Sequence, residues 1–292
     1  MCTLCKYWSS LKYEAMRTLG IFLSATILAT ATHAAPAVRQ YTMVMQGNKA
    51  GWQIVTASKT RGRAEFTYND RNHGDHITAT WTLDAAGIPI AYDSHGVDYM
   101  KAPVDEHFAL SHDTATWRSS HEHGQQRLSN ATFYMPVNPP PEFYGVLARA
   151  LLQTHDHRLA LLPSGTATIQ RAAAITLQTA TGNIEWIQYR ISGLDFLPSP
   201  VWLDEHGDTA AVASLWLSTV AAAHQADVPQ LLDGQDQVNQ AWLAKLAQDL
   251  THAPTGDLVI RNVRLFDPRD LTVTANTTVL VRGDRIIRVA SD

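Results

Sequence analysis

The sequence predicts an α+β chain, mainly antiparallel β, in which a β-meander sheet carries covering helices. Three observations predict it. From Arg39 to Trp117 apolar and polar residues alternate with period two, as in Ile77-Thr78-Ala79-Thr80-Trp81-Thr82-Leu83, the pattern of a strand with one buried face. Short turns such as Gln46-Gly47-Asn48 separate these runs, which makes successive strands antiparallel hairpins. After Ala213 the composition shifts to Ala, Leu and Gln with few turn residues, a helical signature.

Taken in order, Tyr41, Met43 and Met45 share a face of the first strand, and Trp52-Gln53-Ile54-Val55 follows as the second. Further strands are predicted at 64–68, 88–93, 107–110 and 114–118. Pro139-Pro140-Pro141 stops the pattern and opens a helix, because proline is tolerated in a first helical turn. Phe143, Val146, Leu147, Ala150 and Leu151 then fall at helical spacing, giving an apolar stripe to lie across the concave face of the sheet. Strands resume at 159–162, 166–171, 175–179 and 185–191. Trp81 to Gly87 is echoed by Trp202 to Gly207, each a strand, an Asp-led turn and a glycine suited to positive φ. Segments 215–224 and 228–252 read as helices, the second with Val238, Trp242 and Leu246 four residues apart. Ala253-Pro254-Thr255-Gly256 reads as a linker, and the remainder as three short strands with Arg282-Gly283-Asp284-Arg285 as the tight turn between the last two.

At the other terminus, Arg17 precedes the apolar run 19–29, and Thr32-His33-Ala34 places small residues for cleavage after Ala34. This is the pattern of a signal peptide, with Met16 as an alternative start. The run is shorter than the ~20 residues that cross a bilayer, so no stable membrane span is expected after cleavage. The expected location is exported, periplasmic or extracellular. The domain reading is a signal peptide over 1–34, an antiparallel β-rich domain with one internal helix over 35–225, a helix and linker over 226–256, and an incomplete C-terminal unit over 257–292. Cys2 and Cys5, the two cysteines, both precede the cleavage point, so the mature chain uses no disulfide. With 45% hydrophobic and 17% charged residues and a net charge of −4, the composition is globular and argues against nucleic acid as a partner, which calls for clustered Lys and Arg.

Val259-Ile260-Arg261-Asn262-Val263-Arg264-Leu265-Phe266-Asp267, followed by Val279-Leu280-Val281-Arg282-Gly283-Asp284-Arg285-Ile286-Ile287-Arg288-Val289, resembles the start of amidohydrolase superfamily proteins. There such strings build part of a composite β-sandwich beside a metal-bearing (β/α)8 barrel. Pro268 stands where that family often has glycine. Gly193 to Pro198 and Val201 to Asp204 are also similar to an exported extension that precedes some amidohydrolases. The resemblance implies a secreted, metal-dependent hydrolase acting on C–N bonds of non-peptide or dipeptide-like substrates. It also implies zinc or another divalent metal in a full-length relative, held by histidines of the barrel. Here the barrel is absent, since eight βα units need about 250 residues. The expectation is therefore an N-terminal portion carrying only the first strands of the sandwich, without a cofactor or metal site, inactive alone, its partner the missing barrel domain and its substrate unknown. The alternative is a stand-alone periplasmic β-sheet module whose curved sheet and covering helix hold an apolar ligand.

No residue is assigned a catalytic, cofactor-binding or metal-ligating role. His121-Glu122-His123 sits in a polar loop pattern and His155-Asp156-His157 just after a helix, and spacing places no third ligand beside either. Asn72-His73-Gly74-Asp75-His76 reads as a hairpin loop. G-x-S-x-G, Walker and G-x-G-x-x-G motifs do not occur. Spacing pairs none of Asp98, Asp105, Glu106, Asp113, Asp204 and Glu205 as acid and base, and solvation at the surface is expected for them. Trp52, Trp81, Trp117, Trp186, Trp202 and Trp216 are expected mostly in the core.

Overall fold

A computed structural model describes residues 36–179, 182–252 and 254–291. The predicted signal peptide, with Cys2, Cys5 and Met16, lies outside the described residues. Eight strands follow one another as hairpins: β1 (Ala37–Met45), β2 (Asn48–Ala57), β3 (Arg61–Tyr68), β4 (His76–Leu83), β5 (Pro89–Val97), β6 (Pro103–Ser111), β7 (Thr114–Arg118) and β8 (His123–Arg127). Next come β9 (Thr132–Tyr134) and the helix α1 (Pro141–Gln153). Six strands follow: β10 (Arg158–Leu162), β11 (Thr166–Thr179), β12 (Gly182–Ser192), β13 (Ser199–Leu203), β14 (Thr209–Val212) and β15 (Leu217–Ala221). A 3-10 turn, Ala222–Asp227, leads into α2 (Val228–Leu250).

These fifteen strands make one sheet in the order β8-β7-β6-β5-β4-β3-β2-β1-β15-β14-β13-β12-β11-β10-β9. Every neighbour pair is antiparallel except β9 with β10. The two halves are joined at β1 and β15, where Tyr41 faces Ala221 and Met45 faces Leu217. Segment 215–224 was expected to be helical and instead supplies this strand and the start of the 3-10 turn. Its Ser218-Thr219-Val220 core suits a pleated surface, and partners on both sides outweigh the local preference of its alanines.

The sheet is strongly curled. Tyr41, Val55, Trp81, Tyr92 and Phe108 from its first half share one apolar cluster with Leu161, Ile169, Ile191 and Val201 from its second. Phe143, Leu147 and Leu151 of α1, all fully buried, fill the middle of that cluster. The edge strand β9 reaches the inner face of the opposite half, where Tyr134 stacks on Phe108 of β6 at 4.4 Å between ring centroids. Close approach needs Gly145 in α1: a Cβ there would meet Thr209 Oγ1 of β14 at 1.8 Å. The outer face of β1 and β11 to β15 is covered by α2 through Val228, Leu231 and Gln235. There Trp202 Nε1 donates to Gln235 Oε1 at 2.7 Å, and Gln235 Nε2 donates to the Ala213 carbonyl at 3.0 Å.

The C-terminal strands β16 (Leu258–Asp267), β17 (Thr272–Arg282) and β18 (Arg285–Ser291) form a separate three-stranded sheet, with Gly283 at φ 59° in the final turn. The expected α+β fold leading into an amidohydrolase-type composite sandwich needs correction on two counts. The chain is mostly β, because a single continuous curled sheet replaces a smaller meander with covering helices. The three C-terminal strands pair only with one another among the described residues, so no sandwich is built from them.

Candidate functional site

Antiparallel alternation sends the hairpin loops of the curled sheet to two opposite ends, and the ends differ in chemistry. One end holds β1's start and the loops β2–β3, β4–β5, β6–β7 and β13–β14. Its loop residues include Lys59, Asp84, His112, Asp113, Asp204, Glu205, His206 and Asp208. The two echoed turns lie here and are built alike. Asp84 Oδ1 accepts from the backbone N–H groups of Ala86 and Ile88, and Asp204 Oδ1 from those of His206 and Asp208, with Gly87 and Gly207 both at φ 79°.

Beneath these turns lies a buried ionic network. Glu142, fully buried in the first turn of α1, accepts from Arg39 Nη2 at 3.0 Å and from Arg149 Nη2 at 2.7 Å. Arg39 also pairs with Asp208. Tyr41 OH donates to the Thr209 carbonyl at 2.8 Å and lies 3.3 Å from Glu142 Oε2. The Glu142 backbone N–H donates to Gln53 Oε1 at 3.2 Å. Burial works against the charge on Arg39, but the Glu142 carboxylate, joined by Asp208, outweighs it and holds the guanidinium above its ordinary value. Burial raises the Tyr41 phenol. The network clamps α1 to β1 and β14. Beside it is an open groove of about 430 Å³ that includes Trp186, Glu205, His206 and His224. There His224 stands edge-on to Trp186 at 4.8 Å and 2.8 Å from Asp227 Oδ2, against the start of α2.

The opposite end is aromatic and apolar. Trp216, from the β14–β15 loop, meets Tyr68 and Tyr99 edge-on at 5.9 and 5.6 Å, and His73 stacks on Tyr99 at 5.3 Å. Tyr99 OH donates to Asp70 Oδ2 at 2.8 Å, and Lys101 Nζ to the Gly74 carbonyl at 2.6 Å. These contacts bind three loops into one rim. Asp75, within it, is pushed up to about 6 by burial and by neighbouring Asp98, against the opposing pull of Lys101. Outside the aromatic contacts, Leu215 is 84% exposed, Met100 69% and Trp216 45%, and the β12–β13 loop adds Phe196 at 92%. Leu215 also borders a groove of about 590 Å³ on the outer face of β1, lined by Val44, Val228, Pro229 and Leu232 with Gln225 and Asp233 as polar members.

The residues weighed in the sequence fall as follows. His121 and His123 are exposed around the β7–β8 turn, and the polar pattern there, expected as loop, includes the edge strand β8. His155 and His157 are exposed in the turn after α1. Asn72 to Asp75 lie in the β3–β4 loop and His76 begins β4. Among the described residues no three His, Cys, Asp or Glu side chains gather to hold a metal. Asp105 and Asp113 pair at the surface with Arg118 and Arg127, and Asp98 caps its own turn. Glu106, expected at the surface, is instead buried on the inner face of β6, where it accepts from Tyr134 OH at 2.6 Å and from the Val137 N–H at 3.0 Å. Burial raises its carboxyl, and those hydrogen bonds oppose the rise. Trp81, Trp186 and Trp202 are in the core, Trp52 and Trp117 are half-buried, and Trp216 belongs to the exposed rim. The rim and the ionic network were missed because their members lie on segments far apart in sequence. Tyr99-Met100, between the segments read as strands at 88–93 and 107–110, carried the one signal, while Leu215 and Trp216 fell within the segment read as a helix.

No family model matches the chain, and no curated protein matches it. Among solved structures it is similar to a DUF1089 family protein from Pseudomonas aeruginosa, at 11% identity and a TM-score of 0.33, covering 57% of this chain and 91% of that one. It is also similar to a β-barrel-like protein of the domain of unknown function DUF1849 from Brucella abortus, at 10% identity and a TM-score of 0.41, covering 64% and 96%. The resemblance of the C-terminal strings to the amidohydrolase superfamily is corrected, and with it the description as a hydrolase of that family, because no family model matches the chain and two short strand strings with a Gly-Asp turn are satisfied by any three-stranded meander.

Proposed function

We propose that the chain is an exported binding module that takes an apolar small molecule in the groove formed by Val44, Leu215, Val228, Pro229 and Leu232. The observation supporting this reading is that groove itself. It offers about 590 Å³ of space, within the range of small-molecule sites, and most of its lining is aliphatic. Its lining also includes Gln225 and Asp233, polar groups available to a ligand's polar head. The space between sheet and covering helix, where an apolar ligand was first expected, is taken up by Phe143, Leu147 and Leu151 of α1. The ligand site therefore moves to the outer face.

Titration with a fluorescent long-chain alcohol, whose hydroxyl head can donate to Asp233, tests the reading. Saturable binding displaced by the unlabelled alcohol is expected, and Leu232→Glu should weaken it about tenfold or more, because a carboxylate in an apolar groove must be desolvated. A wild-type protein that binds no apolar probe overturns the reading.

A further inference from the structure

The seat of α2 on the outer face of the sheet changes character along the helix. At its start, Val228 and Leu231 cluster with Trp186 and Trp202 of the sheet. Farther along, Trp242 covers a cation instead, with Arg190 Cζ 4.9 Å from the ring centroid. Arg190 lies on β12, where alternation puts it on the same face as Trp186 and Gln188, and it is only 9% exposed. A charge taken out of water in this way calls for a partner. None of the described residues supplies one: no carboxylate pairs with Arg190 and no acceptor takes a hydrogen bond from it. Burial pulls the guanidinium below its ordinary value, and no carboxylate acts to offset that. We infer that Arg190 binds the carboxylate of a small organic acid at the seam between β12 and α2.

The donors are unmatched, within reach and singly charged. The Trp242 ring attracts the charge but offers no oxygen acceptor to the five N–H donors of a guanidinium. Even Gln188 Oε1, two residues back on the same face, is enclosed and takes no hydrogen bond. The Arg190 nitrogens are not enclosed in that way, and Gln170, the neighbour of Arg190 across the ladder on β11, is exposed, so the seam opens to solvent on that side. Charge then selects the class of ligand. Lys245, one turn beyond Trp242 on α2, already pairs with Asp249 at 2.7 Å. One guanidinium balances one negative charge, and its planar fork matches the two oxygens of a carboxylate. A doubly charged phosphate would bring a second charge that nothing beside Arg190 answers. The position between a helix and a sheet, away from any free face, suits a small acid over a folded partner. The helix carries Trp242 about 15 Å beyond Leu232, so this site is separate from the apolar groove.

Isothermal titration with benzoate, and with its neutral isostere benzamide, at constant ionic strength tests the inference. Wild-type protein should bind benzoate saturably and benzamide about tenfold or more weakly, the difference one charged hydrogen-bonded pair makes. Arg190→Met keeps an unbranched stem beneath Trp242 and removes the charge, and should lose about tenfold or more of the benzoate affinity. Arg190→Lys, which keeps the charge without the fork, should also bind benzoate less tightly than wild type. Thermal unfolding without benzoate separates a ligand-binding arginine from a strut: Arg190→Met should match wild type, because it deletes a charge that has no partner. Leu232→Glu should bind benzoate like wild type, and Arg190→Met should bind the long-chain alcohol like wild type, so failure of either reading leaves the other standing. Wild-type protein that binds benzoate no better than benzamide overturns the inference, as does Arg190→Met that binds benzoate undiminished. Inorganic phosphate bound more tightly than benzoate also overturns it, by assigning the guanidinium to another class of anion.

Discussion

The two ends of the curled sheet solve the same problem with opposite chemistry. Each must close a rim of hairpin loops over a core. At the ionic end, Arg39, Arg149 and Asp208, each still partly exposed, tie α1 to β1 and β14 around the Glu142 carboxylate, which is removed from water. At the aromatic end, Tyr68, Tyr99, His73 and Trp216 tie loops together through ring contacts and leave Leu215 and Met100 outside. An ionic closure is specific but intolerant, because a charge that loses its partner stays buried. An aromatic closure is tolerant, and its outermost atoms are free to take another role.

The largest expected effect is at the ionic end. Glu142→Ala leaves two guanidinium groups without their shared carboxylate, and since both keep some exposure and Arg39 keeps Asp208, the loss should be about 3 kcal/mol, the low end for breaking a buried ion pair. Chemical denaturation should show that loss. A cost below about 1 kcal/mol would mean that Asp208 and solvent carry the two arginines and that the network is no clamp. At the other end Trp216→Ala removes a ring that is already half in water. It should cost about 2 kcal/mol, less than full burial would imply, and it should loosen the β3–β4 and β5–β6 loops together in hydrogen exchange.

How far this contrast was legible in the sequence follows from contact range. The α1 helix was readable because its start and its stripe are both local: Pro140 and Pro141, then Phe143 to Leu151. The paired turns at Asp84 and Asp204 were readable for the same reason, since the side chain that makes each turn lies within it. The strand β15 was not, because its identity comes from β1, which precedes it by about 180 residues of chain. The ionic network joins β1, α1 and the β13–β14 turn across 103 and 169 residues, and no spacing rule pairs Arg39 with Glu142 or Asp208. Glu106 was misplaced for a related reason: its alternation partner Phe108 points inward, but a carboxylate is assigned to water until Tyr134 supplies its hydrogen bond. The amidohydrolase-like strings show the converse risk, a local pattern that is real as strands and turn yet does not determine the surrounding fold.

A smaller effect separates the ends by pH. Asp75 at the aromatic rim has its carboxyl pushed up to about 6, chiefly by burial. Its folded form thus holds a proton that the unfolded chain, near the ordinary aspartate value of about 4, has already released. Between those values the native state binds more protons, so stability falls as pH rises through that window. Thermal midpoints measured from pH 4 to 7 should decline for wild type by more than for Asp75→Asn, which has no proton to lose. Identical slopes in the two proteins would place Asp75 in full contact with solvent.

The smallest effect on stability is expected where the proposed consequence for binding is greatest. Leu215→Asp alters a side chain that is mostly in water and buries no new charge, so its stability should lie within about 0.5 kcal/mol of wild type. Were Leu215 a core residue in disguise, the same change would cost several times that and would lower the thermal midpoint together with any binding of an apolar probe in the groove that Leu215 borders. Denaturation and probe titration measured on one preparation therefore separate a side chain that is there to be touched from one that merely closes the sheet. If the two losses scale together, the aromatic end is a second clamp like the ionic one. If probe binding falls while stability holds, the two ends have been divided between holding the fold and presenting a surface.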